Sequence, residues 1–236
     1  MTGVKSSNYR ATENEQPKNR TQKPRTNMHL HRMPGLVQRL FPDCLWTMPP
    51  TTPPTLYLTF DDGPIPEETP FVVEQLARFG ASGTFFCVGD NLAKHPDVAR
   101  QVLAGGHRLA NHTYHHLSGW SHSRPEYLAD VARCHTLLQQ LQPEARPLLR
   151  PPYGRITPAL AQKLNQTHQV VMWDVLTCDY DRDFAPEECL ATAIRLTRPG
   201  SIVVFHDSLK ASANLRYVLP RYLTHFAALG YTFAHL

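Results

Sequence analysis

From residue 56 to the C-terminus, short apolar runs alternate with longer amphipathic stretches. The apolar runs, bounded by Gly, Pro, Asn or Asp, predict strands at 56–60, 83–88, 108–111, 148–150, 170–173, 201–205 and 231–234. The amphipathic stretches between them predict helices at 67–79, 96–104, 126–141, 158–164, 186–196 and 216–229. Strands separated by helices of this length pair in parallel through right-handed crossovers, so the expected class is α/β, a barrel or an open sheet. Seven strands bring such a sheet near to closure. No repeat of fixed period is visible.

The pattern starts late. Residues 1–27 carry six Lys/Arg, two acids and almost nothing apolar, which is the composition of a disordered basic tail. Their net charge of +4 equals that of the whole chain, so the remainder is balanced with 18 basic and 18 acidic side chains. The isoelectric point of 8.8 therefore describes the tail. The tail has no dense Lys/Arg run and a single aromatic, Tyr9, so no nucleic-acid partner is expected. Residues 28–54 hold an apolar stretch, Gly-Leu-Val-Gln-Arg-Leu-Phe-Pro-Asp-Cys-Leu-Trp, followed by a run of Pro, Thr and Met. They are expected to form an N-terminal strap and linker to a domain at 55–236. No segment approaches the ~20 apolar residues of a membrane span, and no secretory h-region is visible. The default location is cytoplasmic, with association with the cell envelope left open. Five cysteines without Cys-x-x-Cys spacing indicate neither a disulfide framework nor a thiolate zinc site.

Polar clusters follow the predicted strands. Asp61-Asp62, the 112–116 histidines, 150–154, 174–181 and His206-Asp207 each come directly after one. In a parallel barrel the C-terminal strand ends share one face, and that face carries the chemistry. Adjacent carboxylates repel each other and lose hydration at a strand end, so Asp61 and Asp62 point to metal ligation or acid–base work beyond an Asp-Gly-Pro turn. His112 and His116 are four apart; on a helical turn both rings face one way, and a carboxylate from another strand end would complete an open three-ligand site. His115 reads as a surface or hydrogen-bonded histidine, although its spacing from His112 also permits chelation.

These motifs resemble those of the NodB-type polysaccharide deacetylases, carbohydrate esterase family four, over about residues 55–236. Thr-Phe-Asp-Asp-Gly-Pro at 59–64, His-Thr-Tyr-His-His at 112–116 and Arg-Pro-Pro-Tyr-Gly at 150–154 match closely. Trp-Asp-Val-Leu-Thr-Cys-Asp-Tyr at 173–180 and Val-Phe-His at 204–206 match more loosely. The resemblance implies a distorted (β/α) barrel of about seven parallel strands and hydrolysis of N-acetyl groups from an N-acetylglucosamine-containing glycan or oligosaccharide. It implies that Asp62, His112 and His116 hold a divalent metal, zinc first, with cobalt or nickel as alternatives. Asp61 would be the general base, oriented by Arg150, and His206 the general acid, tuned by Asp179. The oxyanion and substrate wall would involve Pro152, Tyr153, Tyr180 and Trp120. Two departures, Leu176 where the family has an acidic residue and Tyr180 where it has Trp, bear on substrate range. Cys178, in the same loop, is expected to pack or to face solvent. Two other readings keep the same residues: an amidase for a small acylamide, and a carbohydrate-binding relative without catalysis.

Overall fold

The computed structural model describes residues 31–144 and 147–236, so the basic tail lies outside the described residues. A short helix α1 (Gly35–Arg39) sits in the strap and is followed by strand β1 (Thr55–Asp61). The chain continues through α2 (Thr69–Arg78), β2 (Thr84–Cys87), α3 (Gly89–Lys94), α4 (Pro96–Ala104), β3 (Arg108–Asn111) and α5 (Arg124–Leu141). Strand β4 (Leu148–Leu149), a 3-10 turn (Pro152–Gly154), α6 (Pro158–Leu164), β5 (Gln169–Val170) and β6 (Val175–Leu176) come next. Helix α7 (Pro186–Leu196), β7 (Ile202–His206), α8 (Ser212–Ala228) and β8 (Thr232–Ala234) complete it. Among the described residues no helix is long and apolar enough to cross a membrane.

All strand pairs are parallel, in the order β5-β4-β3-β2-β1-β7-β6. Strand β8 pairs with Thr55–Tyr57, the first part of β1, while β2 pairs with its second part from Thr59 to Asp61. The seven strands along this path form a half-barrel, where the resemblance implies a distorted (β/α) barrel of about seven parallel strands. Strands β5 and β6 are its edges and do not pair with each other. The strap bridges this opening: Leu45 pairs with Val171 beyond β5, and Thr47 with Ser201 before β7.

The pleat of β1 explains how one strand serves both core and site. Leu56, Leu58 and Phe60 are fully buried and join the cluster built with Val72 and Leu76 of α2 and Leu215, Leu219 and Tyr222 of α8. Phe60 lies between Phe85, at 4.9 Å between ring centroids, and Phe205, at 5.8 Å. Burying side chains of this size contributes about 1.5–3 kcal/mol each. The alternate positions, Thr59 and Asp61, share the opposite face and turn into the barrel, because successive strand residues point to opposite sides.

Several boundaries differ from the sequence pattern. The expected strand 170–173 is cut short: the ladder stops at Val170, Val171 bridges to the strap, and a separate β6 pairs with β7. The run Val-Val-Met-Trp-Asp-Val-Leu contains no Gly or Pro to mark the change of neighbour. Asp174 marks it instead. Its fully buried carboxylate accepts from Ser201 Oγ at 2.6 Å and pairs with Arg32 and Arg198. Ser201 directly precedes β7, so Asp174 lies at the end of the sheet opposite the site and does not belong to the face of C-terminal strand ends. Helix α5 begins at Arg124, two residues before the expected start, because Ser123 and Glu126 form a reciprocal capping box. Helix α8 begins at Ser212 rather than 216, and helix α3 was not signalled by any amphipathic run.

Candidate active site

Asp61 ends β1 at only 4% exposure, and the guanidinium of Arg150, which follows β4, lies beside it. Arg150 Nη1 donates to Asp61 Oδ1 at 2.7 Å and to Thr59 Oγ1 at 2.8 Å, and its Nη2 donates to Met172 O at 2.9 Å. The same guanidinium stacks 4.1 Å from the ring centroid of Phe86. Thus one oxygen of Asp61 is held by Arg150, and the other, Oδ2, faces His112 Nε2 at 4.0 Å.

Asp62 turns the other way. Its backbone takes a left-handed conformation at φ 84°, which swings its carboxylate out of the strand pleat and toward the histidines. Asp62 Oδ1 lies 3.2 Å from His116 Nε2 and 3.8 Å from His112 Nε2. The three side chains offer donor atoms that all lie within 4.8 Å of one another. Tetrahedral ligands about 2.0–2.1 Å from a zinc ion sit roughly 3.3 Å apart, so this spacing fits a divalent cation with one side open.

The histidine pair is not on a helical turn, as its spacing suggested. It sits on an irregular loop after β3 in which Thr113 (φ 63°) and His116 (φ 57°) are both left-handed. Such residues cost about 1–3 kcal/mol each and persist only where surrounding bonds fix them. Here they do: Thr113 N donates to Asn111 Oδ1 at 2.8 Å, and Leu117 N to Thr113 Oγ1 at 3.0 Å. The N–H groups of Tyr114 and His115 donate to Asp130 Oδ2 at 2.8 and 2.9 Å. His115 Nδ1 bonds Asp130 Oδ1 at 2.6 Å, so His115 braces the loop from outside the donor cluster.

The tautomer of His112 follows from its neighbour. Its Nδ1–H donates to Arg150 O at 2.8 Å, leaving the Nε2 lone pair toward Asp62. Burial pushes the pKa of His112 down to about 4, with Asp61 opposing, so the ring is neutral and able to ligate at pH 7. Burial alone would raise the Asp62 carboxyl, but the His116 hydrogen bond and the charges of His206 and His112 hold it well below the usual range. It is ionised wherever the protein works.

On the far side, His206 closes β7, paired in register with Asp61. Asp179 grips it twice: its Oδ1 accepts from Nδ1–H at 2.7 Å and its Oδ2 from the backbone N–H at 2.9 Å. Burial works against the charged ring, yet the Asp179 carboxylate outweighs it and the pKa of His206 rises to about 9. Tyr180 packs edge-on against His206 with centroids 5.0 Å apart. Tyr153, left-handed at φ 60° in the 3-10 turn that starts at buried Pro152, places its hydroxyl 3.1 Å from His116 Nδ1. Trp120 stands at the same rim, 66% exposed, with Nε1 donating to Ile156 O at 3.2 Å. Cys178 is fully buried, and burial pushes its thiol up to about 12, which suits packing and not nucleophilic chemistry. Leu176 ends β6, half-buried, with its N–H donating to His31 O at 2.8 Å.

Two supporting residues were given no individual role by the sequence. Asp130 lies on α5, where nothing separates it from a solvated acid until the loop folds over it. Asp207 is fully buried under the Asp62-Gly63 turn; it accepts from Gly63 N at 3.1 Å and Thr69 Oγ1 at 2.5 Å. Burial pushes its pKa up to about 8, with the Thr69 and Gly63 donors opposing. Its position next to His206 was the one available signal.

The chain is similar to several known proteins. The family profile described as polysaccharide deacetylase matches residues 49–171. A peptidoglycan-N-acetylglucosamine deacetylase of Bacillus cereus is 31% identical over 152 residues, 64% of this chain, and the chain spans 55% of that relative. A chitooligosaccharide deacetylase of Sinorhizobium fredii is 34% identical over 169 residues, 70% of this chain and 78% of the relative. Among solved structures, a peptidoglycan N-acetylglucosamine deacetylase in complex with an N-oxidanyl-benzamide superposes with a TM-score of 0.76 at 25% identity. That alignment covers 86% of this chain and 95% of the other.

Proposed function

The chain belongs to the polysaccharide deacetylase family, and from that premise we propose that it hydrolyses N-acetyl groups of an N-acetylglucosamine-containing glycan, releasing acetate and a free amine, with a divalent metal. The observation that carries the reading is the division of labour between two adjacent carboxylates. Asp61 faces Arg150 inside the barrel, and Asp62 faces two imidazoles. A site that only bound sugar would have no use for this separation.

Asp62, His112 and His116 would hold the cation. The His/His/carboxylate set suits zinc, and cobalt or nickel would fit the same donors. When bound, such a cation acidifies a water molecule and polarises the amide carbonyl. The remaining steps fall to side chains of this chain. Asp61 is the general base: Arg150 occupies Oδ1, so Oδ2 accepts the proton from water. The backbone N–H of Tyr153 is the donor that would meet the oxyanion. His206, with Nδ1 committed to Asp179, presents Nε2–H and protonates the departing amine. Its raised pKa keeps that proton loaded at neutral pH. Trp120, Tyr153 and Tyr180 would line the sugar-binding wall, where aromatic faces cover the apolar face of a pyranose ring.

The test is acetate release from chitooligosaccharides, peptidoglycan and small acetamides, before chelation, after chelation and after reloading with Zn2+, Co2+ or Ni2+. The expected result is release from the glycans, abolished by chelator and restored by metal. Release from small acetamides alone would make the protein an amidase. Glycan binding without acetate would make it a carbohydrate-binding relative, and release untouched by a chelator would remove the metal from the mechanism.

A further inference from the structure

Among the described residues three histidines keep a buried ring nitrogen without a hydrogen-bond partner: His107 Nε2, His135 Nδ1 and His168 Nε2. Two of them meet. His135 and His168 approach with ring centroids 5.3 Å apart and planes inclined at 71°, and both line one cavity of about 640 Å³. Its walls include Leu128, Val131 and His135, which the helical period places on one face of α5, and Leu164, Thr167 and His168 from α6 and the turn after it. His168 directly precedes β5, so the cavity lies toward the N-terminal ends of the strands, away from the candidate active site.

The chemistry of the two nitrogens is set by their surroundings. His168 is only 6% exposed, and its backbone N–H donates to Leu164 O at 2.8 Å. Thr167 Oγ1 donates to Leu164 O, so it accepts from His168 Nδ1–H at 2.9 Å, and the bare nitrogen of that ring is Nε2. Burial pushes the pKa of His168 down to about 4, with His135 adding to the effect, so the ring is neutral at pH 7. A neutral His135 with its proton on Nε2 presents Nδ1 in the same form. Two bare acceptors on one cavity cannot satisfy each other, because neither has a proton to give. One electron-pair acceptor between them satisfies both. Two imidazoles on a tetrahedral ion, with nitrogens about 2.0–2.1 Å from it, have ring centroids roughly 5 Å apart. His112 and His116, at 5.0 Å, have that separation, and His135 and His168 have it too. Glu144 also lines the cavity, but its carboxylate is taken by Arg108 at 2.6 and 2.7 Å, so it is no third ligand and water completes the shell.

We propose that His135 and His168 form a second, non-catalytic site for a transition cation of the zinc, nickel or copper class, clipping α5 to the turn before β5. Imidazole nitrogen suits these ions, whereas calcium and magnesium take oxygen ligands. With two protein donors and no carboxylate, the site is weaker than the one at Asp62, His112 and His116. The inference goes beyond the deacetylase reading and does not depend on it. Helix α5 also carries Asp130, which holds the histidine loop of the active site, so an ion here would steady the helix on which that loop rests.

The experiment uses Zn2+ as the probe. Chelated protein is equilibrated with Zn2+ at neutral pH, and bound zinc is counted in the parent, His112→Ala, His135→Gln/His168→Gln and the triple variant. The expected content is about two ions in the parent, about one in each of the next two and none in the triple variant. At Zn2+ tenfold above Kd, the thermal midpoint of His112→Ala should rise by about 3–6 °C, and that of the triple variant should stay where it is. A readout free of any change to the pair is the 15N resonance of His168 Nε2 in the parent, which should shift on zinc addition. A single ion in the parent that is lost in His112→Ala, two ions retained in the His135/His168 variant, or an unmoved His168 Nε2 resonance would overturn the proposal and leave the pair with water only. A single ion lost in the His135/His168 variant but kept in His112→Ala would support this site and overturn the active-site metal instead.

Discussion

Replacing Arg150 with methionine removes a buried cation while keeping most of its stem. Arg150 is fully buried and makes three hydrogen bonds, to Asp61 at 2.7 Å, Thr59 at 2.8 Å and Met172 O at 2.9 Å, besides its contact with Phe86. Methionine leaves Asp61, at 4% exposure, without its counter-charge. Breaking a buried pair on one side costs about 3–5 kcal/mol, because the surviving charge stays desolvated and unpaired. Thr59 is less affected, since its hydroxyl also donates to Val203 O at 2.8 Å. Against a total stability of about 5–15 kcal/mol for a domain, the variant should still fold, with a midpoint lower by roughly 6–20 °C. The assay is urea unfolding of chelated parent, Arg150→Met, Asp61→Asn and the double variant, which closes a thermodynamic cycle. Removing the charge at Asp61 as well should recover at least about 2 kcal/mol of what the single change costs. A penalty below about 1 kcal/mol for Arg150→Met, or a double variant whose losses simply add, would refute a role for Arg150 as the counter-charge of a buried base.

The proposed metal ligands and the proposed base should separate. Asp62→Asn, His112→Ala and His116→Ala should each lose metal in an equilibrium against a chelator, while Asp61→Asn keeps it and loses at least ~10²-fold in turnover; equal metal loss in Asp61→Asn and Asp62→Asn would contradict the division. His115→Ala should retain metal, since its ring pairs with Asp130 instead. The His206–Asp179 pair should set the alkaline limb of the pH profile: His206 is raised to about 9, so Asp179→Asn should move that limb to lower pH with metal content unchanged, and an unmoved limb in both Asp179→Asn and His206→Ala would remove His206 as the acid. By linkage the same pair stabilises the fold fully below His206's ordinary value of 6.5, and this contribution is lost as pH rises through about 9. Gly63→Ala should cost about 1–3 kcal/mol and weaken metal retention, because the new Cβ would sit 2.0 Å from Asp207 Oδ2. Metal retention equal to the parent would show that Asp207 does not hold the ligand turn in place.

Much of the architecture and most of the site were legible in the chain before folding. The alternation of apolar runs and amphipathic stretches determined a parallel α/β sheet, because both periods are local properties of neighbouring residues. The clusters after the strands determined which residues meet, since parallel strands deliver all their C-terminal ends to one face. Tertiary structure decided what local pattern does not encode. That Asp61 serves Arg150 while Asp62 serves the histidines depends on one left-handed residue at the end of β1, and its sequence neighbours permit either assignment. The histidine loop takes its shape from Asp130 on a helix packed against it, a contact between groups far apart in the chain. Asp174 looked like a site residue because it follows an apolar run, yet that run changes neighbours before it ends and leaves Asp174 beside Ser201 at the opposite end of the sheet. Side-chain chemistry and spacing are written residue by residue, whereas the direction of each carboxylate is set by long-range packing and by the hydrogen bonds that only the folded chain can complete.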